Sequence, residues 1–150
     1  MTGDLYPTES PFLEMLGLVI EEWRDGYVRI GLPVRPDHLN RSGVVHGGLL
    51  ATLLDNAGGF CGLYCAVPGN RRYSVTLSLT SNFLGQASGG VLTAVGHRVS
   101  AGRNVYFARS EIFGEDGALL ATGSSVHRFR SGSGDPAGVP APREGGAVPA

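Results

Sequence analysis

The stretch GGLLATLLDNAGGFCGLYCA, residues 47–66, decides the fold. It is apolar on nearly every side, so the pattern predicts a buried helix from Gly47 to about Ala66, ended by Pro68-Gly69. Gly58, Gly59 and Gly62 each lower helix propensity by about 1 kcal/mol relative to alanine. Glycines inside such a helix imply that another backbone packs very close. Asp55 is the helix's only acidic residue and stands among Leu53, Leu54 and Ala57. A carboxylate there is costly without a partner or a task.

Upstream, Ser10 caps a short helix, Pro11 suits its first position, and Phe12, Leu13 and Leu16 form its apolar stripe. GLVIEEWRDGYVRIGLPV then reads as a hairpin turning at Asp25-Gly26, and residues 33–45 read as loop. Downstream of the long helix come only strands: RRYSVTLSLTSNFL, VLTAVGHRVSAG, RNVYFARSEIFGEDG and ALLATGSSVHRFR, with turns at Ala101-Gly102 and Asp116-Gly117. One buried helix and about six antiparallel strands predict an α+β layout, with the sheet wrapped round the helix. The domain runs over 1–130. The remainder, 131–150, is rich in Gly, Pro and Ala and is expected to be a disordered tail, having too little apolar surface to offset its ordering entropy.

The 150 residues fit one domain, and 42% apolar with 17% charged residues describes a globular chain. A net charge of -1 argues against broad attraction to nucleic acid. No apolar run reaches the length of a membrane span, and the N-terminus lacks a basic region followed by an apolar core, so the cytoplasm is the expected location. Cys61 and Cys65 would stand one turn apart on the helix and read as free thiols. No Cys or His cluster near them has metal-ligand spacing, so no metal is expected.

The chemistry concentrates in Asn40-Arg-Ser-Gly-Val-Val-His46-Gly47-Gly48, followed by Asp55. Gly47 sits where loop becomes helix. The first N–H groups of a helix lack internal partners and carry partial positive charge, so they can hold an oxyanion. Gly47-Gly48 can equally serve only as a tight entry to the helix. Asp55 is either a reacting carboxylate or a structural one bonded to backbone or hydroxyls. Gly47 and Asp55 stand about 12 Å apart along one helix at about 1.5 Å per residue. A base must lie within about 3 Å of its reacting partner. One helix cannot easily present both to one carbonyl, so a second subunit would supply the missing half.

His46-Gly-Gly with Asp55 eight residues after Gly47, preceded by Asn40 and followed by a strand ending SLTSNFL, resembles the hotdog-fold acyl-CoA thioesterases of the phenylacetate-degradation (PaaI) type, over residues 10–130. The resemblance implies that Asp55 acts on the thioester carbon as general base or nucleophile, opposite the Gly47 amide of another chain. It also implies a homodimer, arranged as a dimer of dimers, with acyl-CoA as substrate and no cofactor beyond the coenzyme A of the substrate itself. His46 would orient the substrate carbonyl or the loop. Asn40 would bond Asp55 or the carbonyl, or stabilise its turn. Thr76 would position the attacking water, a role that a two-residue slip would move to Ser74 or Ser78. Gly48 and Asn56 would neighbour the substrate. Arg98, Arg103 and Arg128 are candidates for the coenzyme A phosphates, or are solvated surface cations. The chain departs from the family after SNFL, where Gly85-Gln86 stand in place of an Arg-Pro found in many relatives. His38, His97 and His127 receive no role. Phe60, Tyr64, Tyr73, Phe83 and Phe107 could line an acyl pocket or pack in the core. Two other readings remain: a non-catalytic acyl-CoA-binding module, and a hotdog hydratase or dehydratase. The second would need an Asp–His pair at a spacing that adjacent Asp37-His38 do not reproduce.

Overall fold

Ser10 accepts the Leu13 N–H at 3.4 Å and starts the first helix, α1 (Pro11–Leu16), which Gly17 closes in the left-handed conformation. The computed structural model describes residues 6–150. The first five residues of the expected 1–130 domain, and the reading of the extreme N-terminus as free of a leader, lie outside the described residues. After α1 come β1 (Val19–Arg24) and β2 (Tyr27–Pro33), joined through Gly26 at φ +76 as the Asp25-Gly26 signal predicts. A single 3-10 turn (Pro36–His38) interrupts the expected loop before the long helix α2 (Gly47–Phe60). Then follow β3 (Asn70–Arg71), β4 (Ser74–Phe83), β5 (Val91–Ala101), β6 (Val105–Phe113), β7 (Leu119–Phe129) and β8 (Val139–Pro140).

Six strands form one antiparallel sheet in the order β1-β2-β5-β6-β7-β4, and β3 pairs with β8 separately. Register shifts in β1, β4, β5 and β7 mark bulges, the device by which a sheet bends. The sheet packs on α2 through β2, β4, β5, β6 and β7, which is the α+β hotdog arrangement the sequence predicts. Among the described residues no helix is long and apolar enough to cross a membrane.

Two expectations about α2 need correction. The helix ends at Phe60, not near Ala66. Past Phe60 the chain tightens: the Gly62 N–H donates to the Gly59 carbonyl at 3.2 Å and the Leu63 N–H to that of Phe60 at 3.0 Å, while the same carbonyls also accept Tyr106 Oη and Trp23 Nε1, each at 2.7 Å. Gly62, a poor helix former with the Tyr106 ring where a Cβ would stand, lies where the next turn would begin. Cys61, at the helix end, is buried and its thiol is pushed up to about 12 by that burial; Cys65 lies beyond the helix, so the two do not share a helical face. Nor is α2 buried all round. Leu49, Leu50, Leu53, Leu54, Ala57 and Gly58 are buried, whereas Thr52, Asp55, Asn56 and Gly59 are only half-covered. The sheet covers one side of the helix.

The close approach inferred from the glycines is real, but its partners differ. A Cβ on Gly58 would strike Ser125 Oγ, and one on Gly62 would strike the Tyr106 ring. The tightest contact between backbones comes from the sheet, where a Cβ on Gly96 of β5 would overlap the Ala57 carbonyl. These contacts lie within the chain.

The start of the expected disordered tail also lies against the domain. Ser133 is buried, its Oγ accepts the Tyr73 N–H at 2.9 Å, and its carbonyl accepts Arg72 Nε at 2.9 Å. The physical reason is local: donors of the segment before β4 need acceptors, and this segment supplies them.

Gly96→Ala should destabilise the domain by about 1–3 kcal/mol, the usual cost of overpacking a filled interior. Urea unfolding of the variant beside the wild type measures it.

Candidate active site

Asp55 projects from the half-covered side of α2, and β4 delivers the group that meets it. Thr76 Oγ1 donates to Asp55 Oδ1 at 2.7 Å. The register explains why Thr76 does so and its neighbours do not. Ser74 Oγ is bonded to Tyr106 Oη at 2.9 Å, and a bulge between Thr76 and Ser78 breaks the alternation beyond. Thr76 lies opposite His127 of β7, which itself lies opposite Tyr106 of β6.

His127, to which the sequence assigned nothing, is therefore part of the site. It is 1% exposed, with Nδ1 3.3 Å from Thr76 Oγ1 and Nε2 2.8 Å from Ser125 Oγ. Its ring stacks on Tyr106 at 5.0 Å between centroids. A signal for it does exist in the sequence: Ser125 and His127 fall on the inward positions of an alternating strand, where polar residues are unusual.

Asp55, Asn56, Gly59, Ser74, Thr76 and His127 line a cavity of about 180 Å³. Phe60 and Leu63 complete it, and with Ser74 they also line a second, larger cavity of about 510 Å³ whose walls include Trp23, Tyr64 and Tyr73. Trp23 meets Tyr6, Phe60 and Tyr64 edge to face. Of the sequence-predicted aromatics, Phe60, Tyr64 and Tyr73 reach this wall, while Phe83 and Phe107 are exposed elsewhere.

The remaining predicted residues divide. Gly47 starts α2 with open space where a Cβ would be, and among the described residues its N–H meets no acceptor. His46 bonds the backbone at the helix start. It caps the helix, with Nδ1 accepting the Gly48 N–H at 2.8 Å, so the Gly48 amide is already engaged. Asn40 stabilises its turn: Oδ1 accepts the N–H groups of Ser42 and Val44 at 2.9 and 3.3 Å. Asn56 donates to the Thr52 carbonyl at 2.8 Å and shares the Asp55 cavity. Arg98 is held by Asp25 at 2.8 Å, at the far end of the β1–β2 hairpin. Arg103 and Arg128 are exposed and, among the described residues, form no ion pair. Asp37 pairs with Arg35, and the His38 ring accepts the Arg35 N–H, so that adjacent pair is tied into its own turn.

Burial holds the His127 imidazole below its ordinary value of 6.5, with the Asp55 charge opposing. The folded state thus favours neutral His127, while the unfolded chain takes up a proton near pH 6.5. The stability this group leaves intact above that pH is lost as pH falls below it. Asp25 and Asp37, held low mainly by hydrogen bonds from Arg98 and Arg35, lose their contributions only below about pH 4. Tm should therefore fall between pH 6.5 and 5, and His127→Phe should flatten that slope in thermal melts.

The profile of the Thioesterase superfamily matches residues 42–121, more than half of the chain. The medium/long-chain acyl-CoA thioesterase YigI of Salmonella typhimurium is 24% identical over 143 residues, covering 85% of this chain and 90% of its own. The PaaI protein of the Escherichia coli phenylacetic acid degradation operon superposes with a TM-score of 0.74 at 21% identity, over 83% of this chain and 88% of that one. A mutant of the phenylacetic acid degradation protein PaaI from Thermus thermophilus does so at 0.69 and 27% identity, over 79% and 98%. The chain belongs to the thioesterase superfamily and, by that membership, to the thioester hydrolases.

Proposed function

We propose that this protein hydrolyses acyl-CoA thioesters and that Asp55 is the reacting carboxylate. The observation that carries the reading is the Asp55–Thr76 pair at the wall of a small cavity that shares Phe60, Leu63 and Ser74 with a larger one lined by Trp23, Tyr64 and Tyr73. In the base form of the reaction, Asp55 takes a proton from water as the water oxygen bonds to the thioester carbon. The carbonyl oxygen becomes an oxyanion. Its collapse breaks the C–S bond, and the departing thiolate takes up a proton, leaving free acid and coenzyme A. In the nucleophilic form Asp55 itself bonds to the carbon, and water then cleaves the acyl anhydride.

The oxyanion falls to a helix N-terminus, where the Gly47 amide meets no acceptor among the described residues. Because Gly47 and Asp55 are about 12 Å apart on one helix, the amide comes from a second copy, and the working unit is a homodimer within a dimer of dimers. The half-covered side of α2 and the edge strand β4, with Leu77, Phe83 and Leu84 exposed, support such a contact. Arg103 and Arg128 are the cations left for coenzyme A phosphates; Arg98 already serves Asp25. The cytoplasm is the proposed location, in keeping with two unbridged cysteines.

The 510 Å³ aromatic cavity is proposed to take the acyl group. Its size and lining favour medium-chain or aryl-acyl groups over short ones. Free-thiol release across short, medium, long and aryl acyl-CoAs tests this. From short to medium chains, kcat/KM should rise about fourfold per methylene if each is buried. Trp23→Ala should flatten that rise. Asp55→Ala should lose at least about a hundredfold in kcat while melting like the wild type. Retained turnover in Asp55→Ala would overturn the mechanism. Ligand binding without thiol release by the wild type would instead identify a binding module.

A further inference from the structure

We infer that His127 is a positioning residue for Asp55, acting through Thr76 at the end of a one-way hydrogen-bond chain that begins at Ser125. The inference deepens the proposed function and rests on Asp55 being the reacting carboxylate.

The direction follows from counting protons. An ionised carboxylate only accepts, and a threonine hydroxyl has one proton to give. Thr76 gives it to Asp55 Oδ1 at 2.7 Å. The other contact of that hydroxyl oxygen, His127 Nδ1 at 3.3 Å, must then be the donor. A neutral imidazole protonated on Nδ1 has its lone pair on Nε2, so Nε2 accepts from Ser125 Oγ at 2.8 Å. Each group has one consistent role: Ser125 donates to His127, His127 to Thr76, and Thr76 to Asp55. Burial favours the neutral ring that this chain requires.

The chain is also held in place mechanically. The His127 ring lies within 16° of parallel to the Tyr106 ring, whose hydroxyl is anchored on the Gly59 carbonyl. A Cβ on Gly58 would strike Ser125 Oγ and stand 3.1 Å from His127 Nε2, so the helix presses on the chain three residues past Asp55. Asp55 is the one charged group among these neighbours; Thr76, Ser74, Ser125 and Tyr106 are the hydroxyls around the ring. Thr76 itself is exposed on an edge strand, where its hydroxyl proton could otherwise turn to water. The His127 donor selects the rotamer that points its proton at Asp55. Oδ1 is thereby held, while Oδ2, which accepts no hydrogen bond among the described residues, is left for the reacting partner.

Three variants and one spectrum test this. His127→Phe keeps the stacking on Tyr106 and removes the donor, so kcat should fall about fivefold with KM little changed. His127→Asn retains an N–H near the Nδ1 position and should recover most of that loss. Thr76→Val should lower kcat at least as much, and the Thr76→Val/His127→Phe double variant should be no worse than Thr76→Val alone, because the chain acts only through Thr76. Unchanged kcat in His127→Phe, or losses that multiply in the double variant, would overturn the inference. Nitrogen-15 NMR of the histidines in the wild-type protein at pH 7.5 should find His127 neutral with its proton on Nδ1. A proton on Nε2 would overturn the inference whatever the variants do. The spectrum does not depend on turnover. Thiol release by the wild type that survives Asp55→Ala would sink the proposed role of Asp55, whereas a wrong tautomer with Asp55 essential would sink only the role of His127.

Discussion

The seat of α2 on the sheet is the constraint on which the remaining structure depends. Where helix meets sheet the separation is set by the absence of side chains. Gly96 lies under the Ala57 carbonyl, Gly58 lies over Ser125 and His127, and Leu54 stands 3.3 Å from where a Cβ on Gly123 would be. At that separation Leu49, Leu50, Leu53 and Leu54 are buried against Ile30, Leu92, Ala94, Ile112 and Ala121 in one apolar cluster. Dispersion and the hydrophobic effect both reward this closeness. A methyl group at Gly96 would overlap the Ala57 carbonyl, two residues from Asp55, so the backbone there would have to give.

The same seat aligns the polar side of the molecule. β7 presents Gly123, Ser125, His127 and Phe129 inward in succession, so small residues lie beneath the helix and a ring lies beside its end. The row changes from apolar to polar as it passes beneath Gly58. There His127, Thr76 and Asp55 come from three different elements into one cavity. Tyr106 serves twice, stacking on His127 and taking the Gly59 carbonyl. Trp23 takes the next carbonyl and forms part of the wall of the aromatic cavity. The side chains that bond the end of the helix thus also shape the space beyond it.

Much of the fold was legible because its signals are local. The 3.6-residue and two-residue periodicities, the Ser10 cap and the Asp25-Gly26 turn all depend on residues near one another in the chain. The hairpin before α2 and the four main strands after it followed from these signals. Asp55 and Gly47 stood out for similar reasons, one as a lone acid in an apolar helix and the other as a glycine at its start. The extent of α2 was less legible because the groups packed against its end, Trp23 and Tyr106, are 37 and 47 residues distant from the carbonyls they bond.

The sequence by itself determined the element order, the apolar helix and the identity of the acid that helix carries. Each of these rests on periodicity and on local backbone preference. Only the tertiary structure decided which hydroxyl reaches Asp55 and that His127 stands beside it in the candidate site. Those outcomes turn on strand register, and the bulge after Thr76 changes which face each later residue of β4 presents. The sum of many pairings across the sheet sets such a register, so no single stretch of the chain encodes it.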